Sequence, residues 1–391
     1  MQTCDCPLKR AAIEDPNAIA LIDKGITVTF KHLDTLANQY KFKEGELIPT
    51  LPQNPLEFIP LFFGCMRSGA AICPINLRLP CPQLAINQLP QKATPQSVLL
   101  FTSGTTGTPK IAILSFRSLL TNAQYSIPLD PTDCYLLSLP LYHVGGIGII
   151  LRCILAKASI VLDKNNPNIT HLSFVPTQLY RETPIYKNLK CILLGGAPCF
   201  SIPSHLPIFA TYGLTEMGSM VYVRKHPPLI HGHFHLGLPL PKREVRLGSD
   251  GEIFVRGETL FDGYLDQPQS DWLATGDIGI DNPTHGIAII GRKDWQFISG
   301  GENIQPEEIE KYLLQIPGIL ETVVIPKKDP EFGMRPIAIA KTNGSIELQT
   351  IQKYLYDFLP KYKIPTALFC VNELPKIGLK IDRKQVVNTF K

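Results

Sequence analysis

Apolar positions along the chain follow two alternating spacings, one helical and one strand-like. Residues 56–68 are apolar at helical spacing between Pro55 and Gly69, and the strand-like segment AAICPIN comes next. A strand before residue 103, a helix over about 116–125, and strand, loop, helix and strand over 134–161 continue the pattern. Further short strands are predicted at 172–175 and 191–194. Such alternation predicts an α/β fold with parallel sheets, whose ligands gather at the carboxyl ends of the strands.

The pattern changes twice in the second half of the chain. Short alternating segments on either side of the turn Ser249-Asp250-Gly251 predict a small antiparallel β subdomain. Beyond residue 293, amphipathic segments at 306–315, 348–359 and 382–390 predict helices, with ETVVI and PIAIAK as strands between them. We therefore expect one domain over residues 1–292 and a smaller α+β domain over 293–391.

Composition narrows the choice of partners. The 391 residues exceed what one core accommodates, and the net charge of +4 is spread without a long basic run. We therefore expect anionic small molecules as ligands and no nucleic acid. The longest apolar run, 145–156, is too short for a membrane span and contains Arg152. Ten cysteines without C-x₂-C pairs, and an N-terminus without a signal-like apolar segment, predict a cytoplasmic protein.

The segment LLFTSGTTGTPK, residues 99–110, joins a strand to a loop of Gly, Ser and Thr that closes with Lys110. Glycines let the backbone approach an anion, successive N–H groups can cradle it, and Lys110 adds a positive charge. The spacing does not fit a Walker A loop. Taken alone, the residues leave a phosphate loop and a flexible surface loop equally open.

The sequence T-S-G-T-T-G-x-P-K is similar to the phosphate loop of the adenylate-forming superfamily, which includes acyl-CoA synthetases, firefly luciferases and peptide-synthetase adenylation domains. TYGLTEMG, WLATGDIG, GRKD and SGGENIQPEEIE follow in the order of the superfamily motifs. The segments HVGGIGIILRCILAKASIVL and THLSFVPTQLYR most resemble the o-succinylbenzoate–CoA ligases of menaquinone biosynthesis. The resemblance implies doubly wound N-terminal subdomains, a small β subdomain and a mobile C-terminal lid.

The same resemblance implies a two-step reaction. A carboxylic acid would react with Mg²⁺-bound ATP to give an acyl-adenylate, and coenzyme A would then displace AMP. Superfamily members often dimerise, so a homodimer is possible. The resemblance assigns nucleotide or coenzyme A contacts to Thr102, Ser103, Gly104, Thr105, Thr106, Gly107, Lys110, Gly195, Gly196, Ala197, Tyr212, Gly213, Thr215, Asp277, Arg292, Gly300 and Gly301. Tyr212 would stack on adenine, Asp277 would bind ribose, and Glu216 would hold Mg²⁺.

The acid would bind His143, Arg152 and Thr177, and the catalytic residues would be Lys380, His143 and Glu216. Asp294 matches the hinge position, although Trp295 replaces the acidic residue that usually follows. A CoA ligase for another aromatic or short-chain acid is the alternative function, and a non-catalytic nucleotide-binding protein is less favoured. Three alternatives for individual residues also stay open. Arg152 can pair with an internal carboxylate or with a second carboxylate of the substrate. Asp277 and Arg292 can form a purely structural salt bridge.

The third alternative concerns His231, His233 and His235, which alternate as zinc ligands on a strand would. The superfamily has a plain strand at this place, and we prefer that interpretation. Lys376 is also set aside as the catalytic lysine, because Lys380-x-x-Arg383 fits the motif better.

Overall fold

The structure is a computed structural model. It describes residues 6–76, 89–90, 92–102, 110–181, 186–197, 202–230, 232–265, 267–268, 271–377 and 380–390. For Thr177, Tyr180, Arg181, Pro268, Ile377 and Lys380 it describes the backbone.

Nine α-helices lie in the described residues. They are α1 (Pro7–Glu14), α2 (Phe30–Ala37), α3 (Pro55–Ser68), α4 (Phe116–Gln124), α5 (Val144–Ala156), α6 (Pro176–Arg181), α7 (Pro306–Leu313), α8 (Leu348–Leu355) and α9 (Arg383–Phe390). None of these helices combines the length and apolar character that crossing a membrane requires.

The strands of the first half are β1 (Ile19–Asp23), β2 (Ile26–Thr29), β3 (Leu47–Thr50), β4 (Ala71–Pro74), β5 (Ser97–Thr102), β6 (Lys110–Ser115), β7 (Cys134–Leu136), β8 (Ser159–Val161), β9 (His171–Phe174), β10 (Cys191–Leu194), β11 (Ile208–Leu214) and β12 (Ser219–Lys225). Those of the second half are β13 (Leu229–Ile230), β14 (His233–Phe234), β15 (Arg243–Leu247), β16 (Glu252–Gly257), β17 (Gly263–Tyr264), β18 (Gln267–Pro268), β19 (Leu273–Asn282), β20 (Gly286–Arg292), β21 (Phe297–Ser299), β22 (Glu302–Ile304), β23 (Ile319–Asp329), β24 (Gly333–Thr342), β25 (Leu368–Val371), β26 (Lys376–Ile377) and β27 (Lys380–Ile381).

Two large sheets form the N-terminal part. One has eight strands in the order β12-β11-β10-β9-β7-β8-β1-β2, and its six inner strands are parallel. The other has six strands in the order β18-β17-β6-β5-β4-β3, with β3, β4 and β5 parallel. A shared apolar core packs helices α1 to α5 against both sheets. The predicted α/β fold is confirmed, although β2, β6, β12, β17 and β18 add antiparallel pairs.

Local signals set the helix ends. Helix α3 begins at Pro55, where the Asn54 side chain accepts a hydrogen bond from the backbone N–H of Leu56 at 3.0 Å. It ends at Gly69, whose φ of 73° lies in the left-handed region that glycine adopts readily. Both boundary residues match the sequence prediction.

The second half contains a four-stranded sheet, a three-stranded sheet and the two-stranded pairs β13-β14, β21-β22 and β26-β27. Strands β15, β16, β19 and β20 form the expected antiparallel subdomain. Beyond it, α7 and α8 pack on the three-stranded sheet β23-β24-β25 through a core that contains Ile309, Leu313 and Leu355, and α9 packs on the opposite face. Strand β25 and the β21–β22 hairpin were not predicted, and α8 ends at Leu355, earlier than residue 359.

Candidate active site

The two stems of the predicted phosphate loop lie side by side. Thr102 ends β5 and pairs with Lys110, which begins the antiparallel strand β6. The Thr102 hydroxyl donates to the Lys110 carbonyl at 3.3 Å. Ser103, Gly104, Thr105, Thr106 and Gly107 lie outside the described residues, so the structure fixes where this loop begins and ends.

Glu216 lies in the 3₁₀ turn Thr215–Met217, which follows β11 at the carboxyl end of the parallel strands. Its Oε1 accepts a hydrogen bond from the Tyr264 hydroxyl at 2.7 Å. The ring of Tyr264 also lies under the Lys110 ammonium, with Nζ 4.8 Å from the ring centroid. One tyrosine therefore connects the base of the phosphate loop to the turn that carries Glu216.

Buried polar groups hold this turn in place. The Asn122 amide donates to the carbonyls of Met217 and Met220 at 2.8 and 2.9 Å. Arg243, also buried, donates to four backbone carbonyls, among them those of Met220 and Asn122. Burial lowers the pKa of Arg243 to about 10. At Gly213, a side chain would collide with the Ser219 carbonyl, so the backbone can reverse here only with glycine.

A chain of polar contacts runs from β11 to the residues after β20. The Tyr212 hydroxyl donates to Asp277 Oδ2 at 2.7 Å, and Arg292 donates to Asp277 Oδ1 at 3.1 Å. Arg292 also binds Asp294 at 2.8 Å. Burial and the neighbouring Asp277 raise the pKa of Tyr212, so its hydroxyl remains a donor. Burial alone would lower the pKa of Arg292, but Asp277 and Asp294 raise it on balance. The structure thus brings together four residues that the sequence picked out separately.

Gly195, Gly196 and Ala197 directly follow β10, the parallel neighbour of β11. A side chain at Gly195 would strike the hydroxyl of Thr211, and Gly196 has a φ of 76°. Both glycines are therefore required by the close packing and the backbone path at this edge.

Arg152 lies on the otherwise apolar helix α5 and is 4% exposed. Its Nε and Nη1 have no hydrogen-bond partner among the described residues. The guanidinium lies over the Tyr135 ring, 5.6 Å from the centroid, and the Tyr135 hydroxyl is 2.7 Å from Ser173 Oγ. Within the described ranges, no internal carboxylate pairs with Arg152, so that alternative finds no support here.

His143 precedes α5 as its N-cap residue and is exposed, with its ring edge against Tyr142. It therefore borders the helix that carries Arg152. Thr177 lies in α6, directly after β9, and its side chain is outside the described residues.

The C-terminal residues are held by their own contacts. Gly300 and Gly301 form the β21–β22 turn, with φ values of 57° and 87°. Lys380 begins β27, which pairs with β26. Arg383 donates to both carboxylate oxygens of Glu310 at 2.7 Å and stacks on the Trp295 ring, 5.5 Å away. This arginine therefore anchors the segment that carries Lys380.

The structure also describes Lys376 and His235, two residues that the sequence interpretation set aside as the catalytic lysine and as a zinc ligand. Lys376 Nζ lies 2.6 Å from Glu321 Oε1, which gives this lysine an ion-pair partner within the C-terminal part of the chain. His235 is buried, with Nδ1 2.7 Å from the Gly286 carbonyl, and His231 lies outside the described residues.

The sequence motifs do not point to Tyr264, Asn122 or Arg243. The segment FDGYLDQ around Tyr264 has no periodicity, and its position beside Lys110 depends on the antiparallel pairing of β17 with β6. Asn122 lies on the buried face of an amphipathic helix, and a polar residue at such a position was the one sequence signal that could have pointed to it.

The arrangement can hold a nucleotide. Lys110 at the loop stem and the carboxylate of Glu216 both contact Tyr264, and the glycine turn after β10 lies at the end of the strand next to β11. Residues 86–265 match the AMP-binding enzyme family, and residues 308–379 match the AMP-binding enzyme C-terminal domain. The fold and the site therefore have the two-part organisation of the AMP-binding enzymes.

Comparison with individual relatives places the chain more closely among the AMP-binding enzymes. The 2-succinylbenzoate–CoA ligase of Haemophilus influenzae is 32% identical over 93% of this chain and 93% of its own length. That of Salmonella typhimurium is 34% identical over 90% of both chains. A solved variant of E. coli MenE with bound OSB-AMS is 29% identical, with a TM-score of 0.80 over 100% of this chain and 99% of the other. The chain therefore belongs to the 2-succinylbenzoate–CoA ligase family of AMP-binding enzymes, which confirms the resemblance drawn from the motifs.

Proposed function

We propose that this protein is a 2-succinylbenzoate–CoA ligase. The acid reacts with ATP to give an acyl-adenylate and pyrophosphate, and coenzyme A then displaces AMP to give the thioester. Family membership supports the reaction class. The single observation that carries the choice of acid is the buried Arg152, which has unpaired nitrogens and no carboxylate partner in the described chain.

2-Succinylbenzoate has two carboxylates, one on the ring and one on the aliphatic chain. Only one can be activated, and the other needs a cation when the substrate is buried. Arg152 supplies that cation, because a guanidinium binds a carboxylate through two parallel hydrogen bonds. The Tyr135 ring supports the guanidinium from one side. Ser173, His143 and Thr177 are proposed to complete this pocket.

The nucleotide is proposed to bind along the carboxyl ends of β10 and β11. The phosphate loop from Thr102 to Lys110 holds the triphosphate, with Thr215 on a phosphate oxygen. Gly195, Gly196, Ala197, Tyr212 and Gly213 contact adenine, and Asp277 with Arg292 contacts ribose and phosphate. The contacts from Tyr212 to Asp277 and from Arg292 to Asp277 support a common site for these residues.

Glu216 fits a magnesium ligand. Its carboxylate is a hard oxygen donor, and Tyr264 satisfies only Oε1. No hydrogen bond reaches Oε2 from the part of the chain that the structure describes. Mg²⁺ typically binds one or two protein carboxylates together with substrate phosphates, and it would neutralise phosphate charge there.

Residues 293–391 are proposed to act as the mobile lid, turning near Asp294. Their apolar clusters contain residues of this segment only, which supports an independently packed unit. Lys380 would stabilise the charge that develops as the acid meets the α-phosphate. Gly300 and Gly301 would then line the passage for coenzyme A. A homodimer stays a prediction. Free cysteines, several of them buried, favour the reducing cytoplasm.

The test is a pyrophosphate-release assay with purified protein, ATP, Mg²⁺ and 2-succinylbenzoate, followed by AMP release when coenzyme A is added. The matched comparison is 3-benzoylpropionate, which lacks only the ring carboxylate. We expect a large preference for the diacid. Release no faster than without acid refutes the proposal, and equal kcat/KM values for the two acids would indicate a monoacid ligase instead.

A further inference from the structure

Tyr264 lies beside the strand that leaves the phosphate loop. It is in β17, which pairs antiparallel with β6 so that Tyr264 faces Ala112. The next residue, Leu265, donates its backbone N–H to the Ile111 carbonyl at 2.9 Å. The backbone of Tyr264 is thus fixed two residues from Lys110, which begins β6.

The same segment also holds Glu216 at two points. The Phe261 N–H donates to the Glu216 carbonyl at 2.8 Å, and the Tyr264 hydroxyl donates to Glu216 Oε1 at 2.7 Å. Phe261 and Tyr264 pack edge to face, with ring centroids 4.9 Å apart. Main chain and side chain of Glu216 are therefore both tied to one short, rigid segment.

The Lys110 ammonium lies 4.8 Å above the centre of the Tyr264 ring. An aromatic face attracts a cation without neutralising it, so the lysine keeps its charge for an anionic ligand. A tyrosine suits both contacts, because its ring holds the cation while its hydroxyl reaches the carboxylate.

We propose that Tyr264 is a positioning residue that holds Glu216 and Lys110 in place for the magnesium-bound triphosphate. The inference rests on the proposed function and adds a residue to it. Lysine and glutamate side chains are flexible, and fixing them in advance reduces the entropy lost on binding.

The test is calorimetric binding of ATP without any acid, in EDTA and in saturating Mg²⁺. The Tyr264→Phe variant keeps the ring under Lys110 and loses the hydroxyl. We expect its affinity for metal-free ATP to stay within about twofold of wild type, while the gain in affinity from Mg²⁺ falls roughly tenfold. In Tyr264→Leu, metal-free binding weakens as well, because the ring is lost.

A matched control is Tyr354→Phe, which removes a hydroxyl bonded to Gln315 in the C-terminal part of the chain and should change neither affinity. A double-mutant cycle supplies an independent measure. In the Glu216→Gln background, Tyr264→Phe should have little further effect on the Mg²⁺-dependent gain, because the carboxylate that Tyr264 positions for the metal is already gone.

Additive effects in that cycle, an unchanged Mg²⁺ gain in Tyr264→Phe, or an equal loss with and without metal would each overturn the inference alone. Failure of the wild-type protein to bind ATP would overturn the proposed function and this inference with it.

Discussion

Replacing Arg152 with methionine distinguishes the effect of this residue on the stability of the free protein from its effect on substrate binding. The side chain is 4% exposed, and two of its nitrogens have no partner among the described residues. Methionine has a similar length and fills the space beside the Tyr135 ring without a charge. The free protein should therefore gain stability while the enzyme loses its diacid substrate.

The expected sizes of the stability change and of the loss in kcat/KM follow from the burial of the Arg152 side chain. Replacing buried charges with apolar groups of similar volume often stabilises a protein by about 1–4 kcal/mol. Leaving one member of a buried ion pair without its partner costs about 3–5 kcal/mol. In Arg152→Met, the second carboxylate of 2-succinylbenzoate would be that orphan. Its kcat/KM should fall about 10²- to 10⁴-fold, because each 1.36 kcal/mol corresponds to a factor of ten.

Two measurements check this prediction: the melting temperature of the free protein, and kcat/KM for 2-succinylbenzoate and 3-benzoylpropionate. The melting temperature should rise, the diacid value should fall, and the monoacid value should hold. The matched control is Arg67→Met. Arg67 pairs with Asp34 and donates to Asn38 at 2.7 Å, so its loss should lower the melting temperature without changing the ratio between the acids.

A lower melting temperature in Arg152→Met, together with an equal loss of kcat/KM for both acids, would refute the assignment of Arg152 to the substrate carboxylate. That result would make Arg152 a structural cation of helix α5, satisfied inside the protein.

Two further predictions concern catalysis and acid stability. Lys380→Ala should slow pyrophosphate release about 10²- to 10³-fold while ATP still binds. Lys376→Ala should leave the rate of pyrophosphate release unchanged. An equal loss of rate in both variants would contradict the assignment of Lys380. Burial lowers the pKa of His171 from 6.5 to about 4, although Asp133 opposes the shift. The unfolded chain therefore takes up this proton first as the pH falls, and stability should drop by about 3 kcal/mol between pH 6.5 and pH 4. Chemical denaturation of His171→Gln should lack this component, and an unchanged pH slope would contradict it.

Elements could be predicted from the sequence where the residues at their own ends determine where they begin and end. Helix α3 begins at Pro55 and ends at Gly69 because these residues restrict or free the backbone, whatever packs nearby. Strand direction is different, because alternation of side chains is the same in parallel and antiparallel pairs. The antiparallel pairing of β5 with β6 and of β6 with β17 therefore appeared only in the structure.

For the candidate site, too, individual residues could be predicted from the sequence, whereas the contacts between them could not. Motifs named Tyr212, Asp277 and Arg292, but their mutual contacts depend on β11 meeting β19 and β20 in three dimensions. Tyr264 belongs to none of the quoted motifs, and its proposed role follows from neighbours far away in the chain. For Arg152, the sequence left two partners open, and the absence of a carboxylate partner within the described residues favours the substrate.

Asp277 allows the remaining alternative, a purely structural salt bridge, to be tested directly. Asp277→Asn keeps the shape and one acceptor for the Tyr212 hydroxyl, but it removes the charge that pairs with Arg292 at 3.1 Å. If Asp277 also binds the ribose hydroxyls, KM for ATP should rise about tenfold, as expected for hydrogen bonds to a charged group. The control is Asp281→Asn, an exposed position on the same strand β19. A lower melting temperature with an unchanged KM for ATP would show that the carboxylate serves the fold alone, since loss of the ion pair explains the lower melting temperature and only a nucleotide contact would raise KM.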